Sequence, residues 1–185
     1  QLSRSWLMRR IVVSEFVTLD GVMEAPNEWS FPYWNDDIAQ FKYEELYEAE
    51  ALLLGRVTYD GFAAAWPNQV EEEGEFGERM NSIQKYVVST TLDKAEWTNS
   101  TVVPDLDGVA ELEGNLLVGG SAALIQALIK RDLVDDYRLL VYPIVVGKGK
   151  RLFADGTAAN LDLVEVRDIG SGVTAMRYQR AEPKA

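Results

Sequence analysis

The chain has neither cysteine nor histidine among its 185 residues. Without cysteine there is no disulfide framework, thiol nucleophile or thiolate metal site, and nothing requires an oxidising compartment. Without histidine, the Ser-His-Asp triad, the Cys-His pair and His-ligated zinc are excluded too. Chemistry therefore falls to carboxylates, Lys, Tyr, Ser/Thr or a cofactor, and no metal site is expected. Cofactor-borne chemistry asks the protein chiefly for binding and orientation. Basic residues are also scarce. Eighteen Lys and Arg against 30 Asp and Glu leave a net charge of −12, which argues against nucleic acid or an anionic membrane as a partner. No stretch approaches the ~20 apolar residues of a membrane span, so the expected location is cytoplasmic. Residues 1–7 read as a possible leader, foreign to the native chain or added by an alternative start, before Met8. Residues 8–185 read as a single domain, long enough for a full core.

What is present is organised around Asn115-Leu116-Leu117-Val118-Gly119-Gly120-Ser121-Ala122-Ala123-Leu124. Leu116 to Val118 read as a buried strand, and Leu124, Ile125, Leu128 and Ile129 recur at helical spacing behind Ser121, a preferred N-cap residue. A strand that breaks at glycines into a helix offers free N–H groups and the positive end of the helix dipole to an anion. A tight turn uses the same residues, and the spaced three-glycine Rossmann fingerprint is absent. Ala51 to Leu54 make a second such break at Gly55-Arg56, before a helix from Thr58 to about Trp66. Arg56 suits forked phosphate recognition, or pairs with a surface carboxylate.

Arg10 to Thr18 is rich in β-branched residues and reads as the first strand, turning at Leu19-Asp20-Gly21. The stretch from Gly21 to Asn35, with Trp29, Tyr33 and Trp34, is expected to be a long loop, either a binding lid or a cover for an open end of the core. Asp36 or Asn35 caps a helix through Ala49, with Glu44, Glu45 and Glu48 on its wet side. Pro67 to Gly77 reads as a solvated acidic loop, and Lys85 to Leu92 as a strand ending in Ser89, Thr90 and Thr91. A short strand near 101–103 and a helical piece near 106–112 lead to the central stretch. Asp136 to Val146 reads as one long strand bent at Pro143, and 161–166 with 173–179 as an antiparallel hairpin. The strand-then-helix order predicts a three-layer α/β fold with a mostly parallel sheet.

Taken in order, Thr18-Leu19-Asp20-Gly21, Leu54-Gly55-Arg56-Val57-Thr58-Tyr59, Lys85 to Leu92, Val118-Gly119-Gly120-Ser121 and Tyr142 to Gly149 resemble blocks of the dihydrofolate-reductase-like family. The similar branch is that of the C-terminal reductase domain of the bifunctional riboflavin-biosynthesis deaminase/reductase. The resemblance implies a central mixed sheet flanked by helices with a closing C-terminal hairpin, NADPH as cofactor, and a homodimer. It further implies that Gly55, Arg56 and Thr58 meet the cofactor at one break and Gly119, Gly120, Ser121 and Ala122 hold its pyrophosphate. Ser89 and Thr90 would lie by the adenosine 2′-phosphate, and the loop after Thr18 over the nicotinamide. Relatives often have arginine where this chain has Thr90, which weakens the expected preference for NADPH over NADH.

The activity implied is that of an NADPH-dependent reductase similar to 5-amino-6-(5-phosphoribosylamino)uracil reductase, acting on a small heterocyclic or imine-like substrate. The alternative is a non-catalytic, dimeric dinucleotide-binding protein of the same fold. Asp20 is the expected proton donor if one is needed; its other role is turn formation with Gly21. Lys148, Lys150 and Arg151 are the candidates for a substrate-phosphate clamp.

Overall fold

The computed structural model describes residues 9–181, so the possible leader lies outside the described residues. The strands are β1 (Arg10–Thr18), β2 (Ala51–Gly55), β3 (Gln84–Val88), β4 (Ser100–Val103), β5 (Asn115–Val118), β6 (Asp136–Tyr142), β7 (Leu161–Asp168) and β8 (Thr174–Arg180). The helices are α1 (Pro26–Trp29), α2 (Asp36–Glu48), α3 (Arg56–Ala65), α4 (Val70–Ser82), α5 (Leu106–Ala110) and α6 (Ala122–Lys130). The strands form one sheet in the order β4-β3-β2-β5-β1-β6-β8-β7. From β4 to β6 all neighbours are parallel; β8 runs antiparallel to β6, and β7 antiparallel to β8.

Alternation along the central strands supplies two cores, and a third cluster gathers around Leu140 and Tyr142 of β6 with Trp29 and Ile38. Ile11, Val13, Leu116 and Val118 face Leu124, Ile125 and Leu128 of α6. Val12, Leu52, Leu54 and Leu117 face Leu46 of α2, Tyr59 of α3 and Met80 of α4. Helices leaving β1 and β2 thus cover one face and the helix leaving β5 covers the other, which makes the carboxyl ends of these strands a topological switch point. Pairing between β1 and β5 stops at Val13↔Val118, whereas β1 stays paired with β6 as far as Thr18↔Tyr142. Past Val13, one edge of β1 is therefore open.

Several expectations need correction. The acidic stretch is not a loop: from Val70 it is helical, with a break at Gly74. Glu71, Glu72 and Glu73 occupy its first turn, where carboxylates complement the helix dipole, while Met80 is buried against the sheet. The 21–35 loop contains α1 and a 3₁₀ turn at Phe31–Tyr33. Trp29 and Tyr33 pack edge-on to the buried Tyr142 ring, so these two aromatics cover the core, whereas Phe31 and Trp34 are exposed. Asn35 provides the α2 cap, accepting from Ile38 N at 2.8 Å. Glu45 is buried rather than wet. β3 ends at Val88, not Leu92, and β6 ends at Tyr142, with Pro143 terminating the strand instead of bending it. β6 is internal; the exposed edge of the hairpin is β7.

At the amino end of β6, Asp136 is fully buried and held by three arginines. Arg10 contacts its Oδ2, Arg177 donates through Nη2 at 2.8 Å and Nε at 3.1 Å, and Arg138 lies at 4.0 Å. Among the described residues, no helix is long and apolar enough to cross a membrane.

Candidate functional site

Two helix amino termini converge at the switch point. Gly55 ends β2 and donates to Gly120 O at 2.9 Å, and Gly119 N donates to Leu53 O at 3.3 Å. The two breaks are in contact. A Cβ on Gly55 would stand 2.5 Å from Ser121 Oγ, and one on Gly120 would stand 2.8 Å from Thr58 Oγ1. Gly120 also has φ +116°, which L side chains rarely adopt. Ser121 caps α6 by accepting from Leu124 N at 3.3 Å, and α3 has no side-chain cap. The uncapped N–H groups of Arg56, Val57 and Thr58 and those at Ala122 therefore border one bare stretch of main chain. Such a cradle fits a dinucleotide pyrophosphate, because the backbone can be approached closely and both dipoles favour negative charge.

The other predicted residues lie around this cradle. Ser89 follows β3, one strand beyond Gly55, and its Oγ accepts from Thr91 N at 3.2 Å and Leu92 N at 3.1 Å. Its hydroxyl closes a turn, while Thr90 beside it is exposed. Arg56 is paired along its own helix, Nε to the Asp60 carboxylate at 3.0 and 3.1 Å. Thr18, almost wholly buried, donates to Asp20 Oδ1 at 2.5 Å and accepts from Val22 N at 3.0 Å. Asp20 also accepts from Gly147 N at 2.8 Å and Val146 N at 3.3 Å. The Thr18 bond foremost, then the Gly147 N–H, holds its carboxyl below the ordinary range. A carboxylate so stabilised is a poor proton donor, and the geometry is that of a latch tying the β1 turn to the loop after β6. Lys148, Lys150 and Arg151 belong to that same loop, which runs beside residues 22–24, and none lines the cavity between β1 and β5.

That cavity, of about 210 Å³, opens where β1 and β5 part and is lined by Phe16, Leu46, Phe62, Trp66, Phe76 and Leu117. Gly119 lines it as well, so the cavity meets the glycine cradle. Its polar lining is Ser14, Glu15 and Lys42. Lys42 Nζ donates to Ser14 Oγ at 3.1 Å and stands 3.1 Å from Glu45 Oε1. That ion pair is close but poorly aligned, and both Glu45 oxygens lack a directed hydrogen bond. Glu15 Oε1 is hidden from solvent and, among the described residues, also without a partner. Burial pushes the Glu15 carboxyl up to about 8, with Lys42 lowering it and Glu45 raising it in smaller measure. Sequence reasoning passed over Glu15, Lys42 and Glu45. The available signal was a carboxylate set among the apolar residues of β1, where an unpaired charge is costly.

Comparison with known proteins bears on this arrangement. Residues 9–175 match the family described as the RibD C-terminal domain. The uncharacterised protein YyaP of Bacillus subtilis (strain 168) is 30% identical over 179 residues, covering 92% of this chain and 94% of that protein. Among solved structures, a putative riboflavin biosynthesis protein from Shewanella sp. PV-4 superposes with a TM-score of 0.74 at 19% identity, covering 94% of this chain and 99% of the other. Dihydrofolate reductase from Enterococcus faecalis, complexed with NADP(H), gives a TM-score of 0.57 at 17% identity, covering 94% and 97%.

Proposed function

Because the chain belongs to the RibD C-terminal domain family, we propose that it is an NAD(P)H-dependent reductase of a small, neutral heterocycle or imine bound in the cavity between β1 and β5. One observation carries this reading: Gly119 lines the cavity and also begins the bare main chain where the α3 and α6 amino termini meet. When bound, the reduced dinucleotide supplies the hydride. Main-chain N–H groups of Thr58, Gly120, Ser121 and Ala122 hold its phosphates, while Gly55 and Gly119, whose own N–H groups are bonded within the protein, let it approach the main chain closely. Ser89 and Thr90 border its adenosine end. Phe62, Trp66 and Phe76 exclude water and hold the acceptor ring, which favours a reactive geometry over free encounter.

The phosphorylated pyrimidine of the riboflavin pathway is the less favoured substrate. A phosphate needs converging cations, whereas among the described residues the one cation lining the cavity, Lys42, already stands against Glu45. The proposed assembly is a homodimer joined through the exposed β7 edge, where Leu163, Val164 and Val166 face solvent in the single chain. Light scattering showing only a 20.7 kDa particle at micromolar concentration would refute that part.

Isothermal titration with NADPH and NADH tests the cofactor. The expected result is binding of both with a modest preference for NADPH, which Thr90→Arg enlarges by tightening NADPH alone. No heat with either at millimolar concentration overturns the reductase reading. Binding without oxidation in the presence of quinoxalin-2-one, a neutral planar ring with a C=N bond, or of the riboflavin-pathway pyrimidine favours a non-catalytic dinucleotide-binding protein instead.

A further inference from the structure

The cavity contains a half-buried acid, with one oxygen hidden from solvent, that the dinucleotide cradle does not use. We propose that Glu15 is the proton donor of the reduction, delivering a proton to the ring nitrogen of a neutral C=N substrate while Lys42 and Glu45 stay paired behind it. This rests on the reductase reading given above.

Position is the first argument. Glu15 lies two residues beyond the last β1–β5 pair, at Val13↔Val118, so it borders the gap between the strands. It shares that cavity with Gly119, where the cradle begins. With its phosphates on the cradle, a dinucleotide whose nicotinamide extends into the adjoining cavity would place donor and hydride source on the same small ring. The second argument is chemical state. Among the described residues Oε1 has no partner and is hidden from solvent, while the residue as a whole is half-buried; an oxygen so placed is costly in a carboxylate and tolerable in a carboxylic acid. The carboxyl is pushed up to about 8, which keeps it protonated at neutral pH, where an acid is useful.

Its surroundings offer no better donor. Lys42 is engaged with Ser14 Oγ and Glu45, and its charge is matched there. The charged groups that act on Glu15 are Lys42 and Glu45 from α2; among the described residues, α3, α4 and β5 contribute only apolar side chains to the cavity, joined by Gly119. Asp20, on the far side of the β1 turn, has both oxygens bonded and its acidity strengthened.

The step balances without a further reagent. The substrate carbon accepts the hydride of the reduced dinucleotide, the C=N π pair moves to nitrogen, and nitrogen takes the proton as the Glu15 O–H bond breaks. The products are the amine, the oxidised dinucleotide and the Glu15 carboxylate, which regains a proton from water once the product leaves.

Two probes separate proton delivery from hydride delivery. Quinoxalin-2-one must acquire a proton at N4 on reduction; its N4-methylated cation accepts hydride with no proton at all. In single-turnover reactions with NADPH, Glu15→Gln is expected to slow the neutral probe by about 10²–10⁴-fold and leave the cation within a few-fold of the unmodified protein. Glu15→Asp should restore part of the loss. NADPH affinity by titration should be unchanged in both variants. Independently of turnover, ¹³C-carboxyl NMR of glutamate-labelled protein without cofactor should show a carboxyl titrating well above the others, and that signal should vanish in Glu15→Gln. Equal slowing of both probes, no slowing of either, or no such carboxyl signal overturns the assignment of Glu15 while leaving the reductase reading intact. An unmodified protein that reduces neither probe overturns both.

Discussion

Two carboxylates of this protein, the fully buried Asp136 and the half-buried Glu15, show what partnering does to an acid. Asp136 sits at one end of the central strands with Arg10 and Arg177 on its oxygens and Arg138 close by. Glu15 sits near the other end, at the gap between β1 and β5, with Oε1 hidden from solvent and unpartnered among the described residues and a nearby lysine already turned to Glu45. Desolvation penalises the ionised form of both, at Asp136 over the whole carboxyl and at Glu15 chiefly at the hidden Oε1. At Asp136 that cost is offset by charge-assisted hydrogen bonds, and the cluster ties the start of β1 to β6 and β8. At Glu15 it is met by holding the proton. A saturated acid acts as structure; an unsaturated acid beside a cavity is available for chemistry.

The largest expected effect breaks the saturated member. Asp136→Asn removes the anion that three arginines surround, and breaking one side of a buried pair typically costs 3–5 kcal/mol. Because Arg10 and Arg177 keep partial access to water, the expected loss is near the lower end, about 3 kcal/mol, read as a lowered urea midpoint. NADPH affinity of the folded fraction should not change.

Glu15→Gln tests the opposite case. With its folded-state value raised from 4.5 to about 8, the native protein binds more protons at this site than the unfolded chain does between those two values. Its contribution to stability is therefore fully present below the unfolded value and lost as pH rises through the folded one. One such group changes stability by at most about 1.4 kcal/mol per pH unit. Urea titrations from pH 5 to 8 should show a decline with pH that is shallower in Glu15→Gln, and an identical slope in both proteins would mean that Glu15 is ionised throughout.

The parts of this arrangement that the sequence disclosed are those written locally. Near-continuous apolar runs such as Ala51–Leu54 and Leu116–Val118 announced buried parallel strands, and Ser121 announced its helix. The two glycine breaks were legible, although their contact through Gly55 and Ser121 is made across 66 positions and needed the fold. Long separation also hid the Asp136 cluster, whose partners lie 126 and 41 residues away. The helix after Val70 was hidden by its own glutamates and by Gly74, since a run of charge resembles a loop unless the i,i+4 pair Phe76 and Met80 is given weight. Glu15 and Glu45 were read past because an acid in a strand or on a helix carries no local sign of which way it faces.

Lys85 supplies an intermediate case: a fully buried cation whose partners are main-chain carbonyls rather than a counter-ion. Its Nζ donates to Asn81 O at 2.7 Å and Thr98 O at 2.8 Å and lies 4.0 Å from the Trp97 ring centroid. Burial lowers its value from 10.5 to about 8. Here the unfolded chain holds more protons between those values, so this group makes stability rise with pH across that window. Lys85→Met should abolish the rise. The window is narrower than that of Glu15, and the total effect is expected to be smaller. A rise that persists in the variant would mean that the carbonyls stabilise the ammonium enough to offset its burial.

The smallest effect concerns Arg56, where saturation is cheap to undo. Its Nε is bonded to both Asp60 oxygens, but the pair spans one turn of α3 and both side chains are substantially exposed. Exposed i,i+4 pairs contribute about 0.3–0.5 kcal/mol, so Asp60→Ala should move the urea midpoint hardly at all. Binding should respond more than stability. A guanidinium released from Asp60 beside the uncapped start of α3 can turn to an incoming phosphate, and it no longer has a neighbouring carboxylate to repel that anion. Asp60→Ala is therefore expected to tighten NADPH by a few-fold, with the gain shrinking in high salt as surface charges are screened. In Arg56→Gln the same Asp60→Ala change should give no gain beyond the loss of repulsion. If Asp60→Ala leaves NADPH affinity unchanged at low salt, Arg56 is a structural partner like those of Asp136, and the cradle binds phosphate through its main chain alone.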